Sequence, residues 1–243
     1  MPDGSNVCVL STFRSRGVCC PMRTWNSLLI LCSLVLLDIC TARAEPVRRP
    51  TSEPYKGDLT IFEAPDRDEK LQIGRVMDLL GIKEGVRVAD IGAGSGWFTV
   101  RSARRVGKSG VVYAVEINPA YLRHIRDRAS DEKLPNIRTV LGGPDDPRLP
   151  PQSVDAALLL KTYHEVAEPI ALLRHLRKAM RGGGRVGIID RNGCGSDHGL
   201  DANMVIKEAA RAGFQLAEQH DFVKADGMDY FLIFRVAPET ADG

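Results

Sequence analysis

From Asp66 onward the apolar positions fall into two alternating spacings. Short apolar runs bounded by glycine or charged residues predict seven strands: Val86 to Ile91, Gly110 to Ile117, Ile137 to Leu141, Val154 to Leu160, Arg185 to Asp190, Phe214 to Phe222 and Asp229 to Val236. Val154 to Leu160 is apolar almost throughout, as a strand buried on both faces should be. Helical spacing predicts a helix from Asp66 to Leu80, where Leu71, Val76, Leu79 and Leu80 lie near one face and Gly81 ends it. Further helices are expected over Trp97 to Val106, Pro119 to Ala129 with proline in its first turn, Ile170 to Met180 broken by Gly182-Gly183-Gly184, and Leu200 to Ala212. Regular strand–helix alternation predicts an α/β fold: a Rossmann-like, doubly wound, seven-stranded sheet, mostly parallel, with helices on both faces. The turn around Asp226-Gly227 is too short for a parallel crossover, so the last strand should run antiparallel.

The first 65 residues break this pattern. The apolar run Leu28 to Cys40 is short for a membrane span and suited to the core of a signal peptide. Arg23 precedes it and the small-x-small sequence Ala42-Arg43-Ala44 follows it, so the stretch beginning at Met22 reads as a complete secretory signal. The expected organisation is a leader over 1–44, with 22–44 the genuine signal and 1–21 an extension; a Pro- and charge-rich linker over 45–65; a domain over 66–237; and a tail over 238–243. The expected fate is export after cleavage near Ala44, with a retained membrane anchor as the alternative.

The whole chain of 243 residues carries 33 Lys and Arg against 31 Asp and Glu, and without residues 1–44 the two signs balance. A neutral body has no general attraction to nucleic acid. Cys8, Cys19, Cys20, Cys32 and Cys40 lie in the leader, which leaves Cys194 alone in the body. The body therefore offers neither an internal disulfide nor a Cys/His cluster with metal-ligand spacing, and no metal is expected.

The strand Val86 to Ile91 runs into a glycine turn, Asp90-Ile91-Gly92-Ala93-Gly94-Ser95-Gly96, and then a helix. In doubly wound sheets ligands sit in this crevice, beyond the carboxyl ends of the strands. The dinucleotide fingerprint G-x-G-x-x-G is not met, because Trp97 stands at its third glycine and Gly96 comes one residue early. The pattern D-x-G-x-G-x-G instead resembles the first motif of the class I S-adenosylmethionine-dependent methyltransferases. Glu116 at the end of VYAVE resembles their second motif, in which a carboxylate accepts the ribose hydroxyls. LGGPDDPRLPPQSVDAALL is similar to the third and fourth motifs, although Gly143 stands where many members carry the aspartate that meets the adenine, with Asp145 and Asp146 close behind. KTYHEVAEP and MRGGGRVGIIDR resemble the small-molecule branch related to quinone biosynthesis.

This resemblance implies S-adenosyl-L-methionine as the cofactor, held by Asp90, Gly92, Gly94, Gly96, Glu116, Asp145 and Asp146, and methyl transfer to a small-molecule acceptor. Asp145 and Asp146 also read as a plain turn. Two other readings compete: an exported binding protein that keeps the fold without turnover, motivated by the leader, and a nicotinamide-dependent oxidoreductase, opposed by Trp97. Tyr163-His164-Glu165 follows the fourth strand, where the methyl group should sit, so His164 and Tyr163 are the catalytic candidates, with His164 as general base. The alternative is that His164 lines the pocket or caps the next helix. Asp197 and His198 read as part of a substrate lid or as a plain loop, while His124, His175 and His220 fall in structural patterns.

Overall fold

The structure is a computed structural model that describes residues 49–224 and 226–237. The leader, its cleavage site and the tail at 238–243 lie outside the described residues. Among the described residues seven strands form one sheet: β1 Arg87–Ile91, β2 Val111–Glu116, β3 Ile137–Leu141, β4 Val154–Leu160, β5 Met180–Arg191, β6 Phe214–His220 and β7 Asp229–Val236. Their order is β3-β2-β1-β4-β5-β7-β6, and β7 runs antiparallel to both its neighbours while every other pairing is parallel. The Rossmann-like α/β fold and its antiparallel last strand are thus as the sequence pattern predicts.

Among the described residues six helices cover the sheet: α1 Arg67–Leu71, α2 Ile73–Leu79, α3 Trp97–Val106, α4 Pro119–Asp131, α5 Pro169–Ala179 and α6 Ala202–Arg211. Alternate side chains of the central strands feed two cores. Val88, Leu158 and Phe231 pack with Val76, Phe98 and Ile125 from α2, α3 and α4 on one face. Ala157, Leu159 and Leu232 pack with Leu173, Leu176 and Val205 from α5 and α6 on the other. The order of strands places the reversal of winding between β1 and β4, which opens a crevice at their carboxyl ends.

Two expectations are corrected. The helix expected from Asp66 to Leu80 is two helices, because Gln72 is left-handed (φ 45°) and its side-chain amide donates to the Phe222 carbonyl at 3.2 Å. The apolar spacing continues across this break, so periodicity does not mark it. Gly182 to Gly184 do not separate helix from strand; they lie inside β5, at a register shift where Val154 pairs with Met180 and Ala156 with Arg185. A Cβ on Gly184 would lie 2.8 Å from the Asp155 carbonyl, so the two strands approach too closely there for any side chain.

The described part of the expected linker, 49–65, is not a free connector. It packs along the domain. Arg49 ion-pairs with Glu208 at 3.0 Å and donates to the carbonyls of Tyr163 and Val166. Ser52 is buried, with its amide on the His164 carbonyl and its hydroxyl on the Gly195 carbonyl. A 3-10 turn over Leu59–Phe62, capped by the Asp58 side chain, leads on to α1. These bonds join residues more than a hundred positions apart, which no local composition reveals.

Candidate functional site

β1 delivers Asp90 and Ile91 to the crevice, and Gly92 turns the chain with φ 72°. A Cβ at Gly92 would lie 2.4 Å from the Thr162 hydroxyl, so only glycine fits between β1 and the end of β4. The amides of Gly92 and Ala93 both donate to the Val115 carbonyl, at 2.9 and 3.0 Å. Gly94 (φ 54°) donates to Glu116 Oε2 at 3.0 Å. The turn is therefore fastened to β2 through its own backbone.

Glu116 ends β2 and is only 7% exposed. Its Oε1 accepts from the amides of Ile117 and Asn118, at 2.7 and 3.1 Å, while Oε2 holds Gly94. Three backbone donors make this a fixed carboxylate whose orientation owes nothing to side-chain rotamer freedom. Asp90, 2% exposed, accepts the Thr99 hydroxyl of α3 at 2.6 Å. Burial pushes the Asp90 carboxyl up to about 7, against the Thr99 bond and with help from the Glu116 charge.

Around these residues lies a cavity of about 510 Å³, within the roughly 300–1,000 Å³ of small-molecule sites. Asp90, Gly92, Gly94 and Glu116, four of the residues expected to hold the cofactor, line it. Its far wall is the N-terminal stretch from Thr51 to Lys56 together with Phe62, whose ring meets Tyr55 edge-on at 5.3 Å. No local pattern in residues 51–56 marks this wall.

Five other expected site residues do not line the cavity. Gly96 begins α3 in a left-handed conformation and packs against Ile125 instead of facing the crevice. Asp145 and Asp146 form the turn that was the alternative reading: the Asp146 side chain accepts from the Arg148 amide, and the Asp146 carbonyl accepts from Gly143. In this loop Gly143, Pro144 and Pro147 are the lining residues. Tyr163 is fully buried on the other face of the sheet, with its hydroxyl donating to Glu208 at 2.8 Å and Arg49 over its ring. His164 is 4% exposed, and its ring Nδ1 and backbone amide both face the Asp190 carboxylate at the end of β5.

Sequence reasoning overlooked the third residue of that triplet. Glu165 does line the cavity, with Oε1 accepting the Tyr55 amide at 3.3 Å and lying 3.9 Å from His164 Nε2. Burial pushes its carboxyl up to about 7, in spite of the neighbouring imidazole. Its position just past the end of a central strand was the available signal. Asp197 and His198 stand behind this cluster: the His198 ring meets His164 edge-on at 5.7 Å and its amide donates to the Ser52 hydroxyl, while Asp197 accepts the Cys194 amide.

Residues 88–184 match a family model described as a methyltransferase domain. The ubiquinone/menaquinone biosynthesis C-methyltransferase UbiE of Idiomarina loihiensis is 30% identical over 115 residues, which cover 47% of this chain and 46% of that protein. Aklanonic acid methyltransferase DauC of Streptomyces sp. (strain C5) is 30% identical over 114 residues, 46% of this chain and 51% of that one. The chain thus spans about half the length of the curated relatives it matches. A SAM-dependent methyltransferase from Aquifex aeolicus superposes with a TM-score of 0.68 at 22% identity, over 75% of this chain and 100% of that one. The glycine turn, Glu116 and Glu165 all fall inside the matched segment, and the chain carries the Rossmann-like fold of the S-adenosylmethionine-dependent methyltransferases.

Proposed function

We propose that the protein transfers a methyl group from S-adenosylmethionine to a small-molecule acceptor bound in the cavity. The observation that carries this reading is the Glu116 carboxylate, fixed by three backbone amides at the cavity wall beside Gly94. A carboxylate so placed suits a ribose diol. The donor supplies a methyl group already activated by the positive sulfur. The work left to the chain is to hold donor and acceptor in line and keep water out. The names of the relatives, UbiE and DauC, support a small organic acceptor, and the matched motifs support the quinone-biosynthesis-like branch.

Calorimetry with S-adenosylmethionine, S-adenosylhomocysteine and NAD tests the cofactor, and methyl transfer followed by mass spectrometry separates an enzyme from a binding protein. Binding of NAD alone would overturn the reading. Export rests on the sequence of residues 22–44, and intact-mass measurement of the mature protein should find Glu45 at its N-terminus. A native protein that begins at Met1 or Met22 would refute cleavage.

A further inference from the structure

We propose that the groove between α4 and the open edge of β3 is a docking surface for an extended acidic segment of a partner protein, which adds to the sheet as a further strand. The surface lies apart from the cavity, and the proposal stands independently of the methyl-transfer reading.

β3 ends the sheet, since it pairs with β2 alone. Val112 donates to the Asn136 carbonyl and Gly142 to the Glu116 carbonyl, so the backbone groups of the even-numbered residues from 136 to 142 point toward β2. Those of Ile137, Thr139 and Leu141 therefore point to the open edge. The Ile137 amide is taken up by the Leu134 carbonyl, and the Ile137 and Leu141 carbonyls accept from Arg138 and Arg148. Thr139 keeps both its N–H and its C=O for an incoming strand.

Beside this edge the groove, about 660 Å³, has an apolar floor of Ala129, Leu134 and Ile137. Its rim carries Arg126, Lys133 and Arg138, all three exposed, and among the described residues no carboxylate lines it. Arg126 donates to the Leu122 carbonyl of its own helix and Arg138 to the carbonyls of Pro135 and Ile137, while the Lys133 ammonium has no partner among the described residues. The nearby carboxylates are turned elsewhere: Glu132 holds Arg104 and Arg128, and Asp127 and Asp131 line the opposite flank of α4. In a body whose charges balance overall, three cations without carboxylate partners around one apolar groove make a local positive field.

Those cations select the occupant. A second copy pairing through its own β3 would set Arg138 and Lys133 against their like, which is destabilising. An acidic strand meets the rim with opposite charge, pairs its backbone with Thr139 and lays apolar side chains on the floor. Protection of a sheet edge accounts for Arg138, which lies on the strand. It does not account for Arg126 and Lys133, which come from α4 and the turn after it. The occupant would rest on the helix whose first turn carries Pro119 and Tyr121 to the cavity.

The test uses the full chain and a fluorescein-labelled peptide of sequence EEVEVEE, followed by fluorescence anisotropy. Its odd positions offer two valines to the floor between two glutamates, and its even positions offer glutamates to the side of Arg138. This peptide should bind, and its lysine counterpart KKVKVKK should not. Arg126→Glu with Arg138→Glu should weaken binding about tenfold or more and leave the urea midpoint unchanged, because both side chains are exposed. Salt at about 1 M, where the screening length is about 3 Å, should weaken it as well. N-methylation at either the odd or the even positions keeps every charge; one of the two peptides should lose about tenfold and the other little, since alternate amides of an added strand face the sheet. Hydrogen exchange at the Thr139 amide should slow when the peptide binds.

No binding at about 1 mM peptide would overturn the proposal, as would unchanged affinity in the double variant. Unchanged exchange at Thr139, or equal affinity for the two N-methylated peptides, would also overturn it and reduce the surface to a bare patch of charge. Tighter binding of oligothymidylate than of EEVEVEE would replace the acidic segment with a nucleic acid.

Discussion

Gly94 and Glu116, on successive β-α units, are joined by a single hydrogen bond of 3.0 Å from the glycine amide to the carboxylate. The bond ties the glycine turn to the residue proposed to hold the ribose, so the two halves of the proposed cofactor site are set together. Charge-assisted hydrogen bonds contribute about 1.5–3 kcal/mol, and each 1.4 kcal/mol is about tenfold in affinity. Glu116→Ala should therefore weaken S-adenosylhomocysteine binding by about ten- to a hundredfold in calorimetry. Glu116→Gln keeps an acceptor oxygen and should lose less.

Gly92→Ala should destabilise the protein. The left-handed backbone costs any other residue about 1–3 kcal/mol, and the new Cβ would run into Thr162. Urea unfolding of Gly92→Ala with Thr162→Gly should recover the part due to the clash and not the part due to φ. Full recovery would mean that the left-handed conformation carries no cost there.

The Asp90 carboxyl, at about 7 in the folded chain, titrates near its ordinary value of 3.8 when unfolded. Between those values the folded protein holds a proton that the unfolded chain has released. Stability therefore falls as pH rises from about 4 to about 7. Glu165, raised by the same burial, adds a slope of the same sign. Asp90→Asn should flatten the dependence, so that its unfolding free energy changes less than the wild type's between about pH 5 and about pH 8. A parallel dependence in wild type and variant would show that Asp90 is ionised throughout.

Tyr163→Phe removes the bond to buried Glu208, which should cost about 1–3 kcal/mol of stability with kcat unchanged, because the side chain lies outside the cavity. Arg49→Ala should cost more, about 3–5 kcal/mol, by leaving Glu208 buried without its cation. A collapse of kcat in a stably folded Tyr163→Phe would return that residue to the chemistry.

The strand set was legible because each strand carries its own apolar run, and β3, β4 and β7 fall where the pattern places them, residue for residue. Asp90, Gly92 and Glu116 were legible for a related reason: a turn between a strand and a helix leaves a local signature. Gln72 and Gly182 to Gly184 were not, since a break within one apolar face and a bulge within one strand change the geometry without changing the spacing. Glu165 and the wall from Thr51 to Lys56 owe their places to contacts with distant elements, and a carboxylate or a proline-rich stretch looks the same in sequence whether it meets solvent or a cavity.

The inward-facing amides of the glycine turn bear on what can leave the site as well as what can enter it. In dinucleotide-binding turns such N–H groups face a pyrophosphate. Here those of Gly92, Ala93 and Gly94 are taken up by Val115 and Glu116, so the cavity floor presents carboxylate where an anion would need donors. That floor attracts a positive centre and repels phosphate. A sulfonium donor arrives with a positive charge and departs without it, so its hold weakens as soon as the methyl group has moved. On the proposed methyl-transfer reading, the affinity of S-adenosylmethionine should fall with added salt more steeply than that of S-adenosylhomocysteine, and the turn would draw in the charged form and let the spent one go.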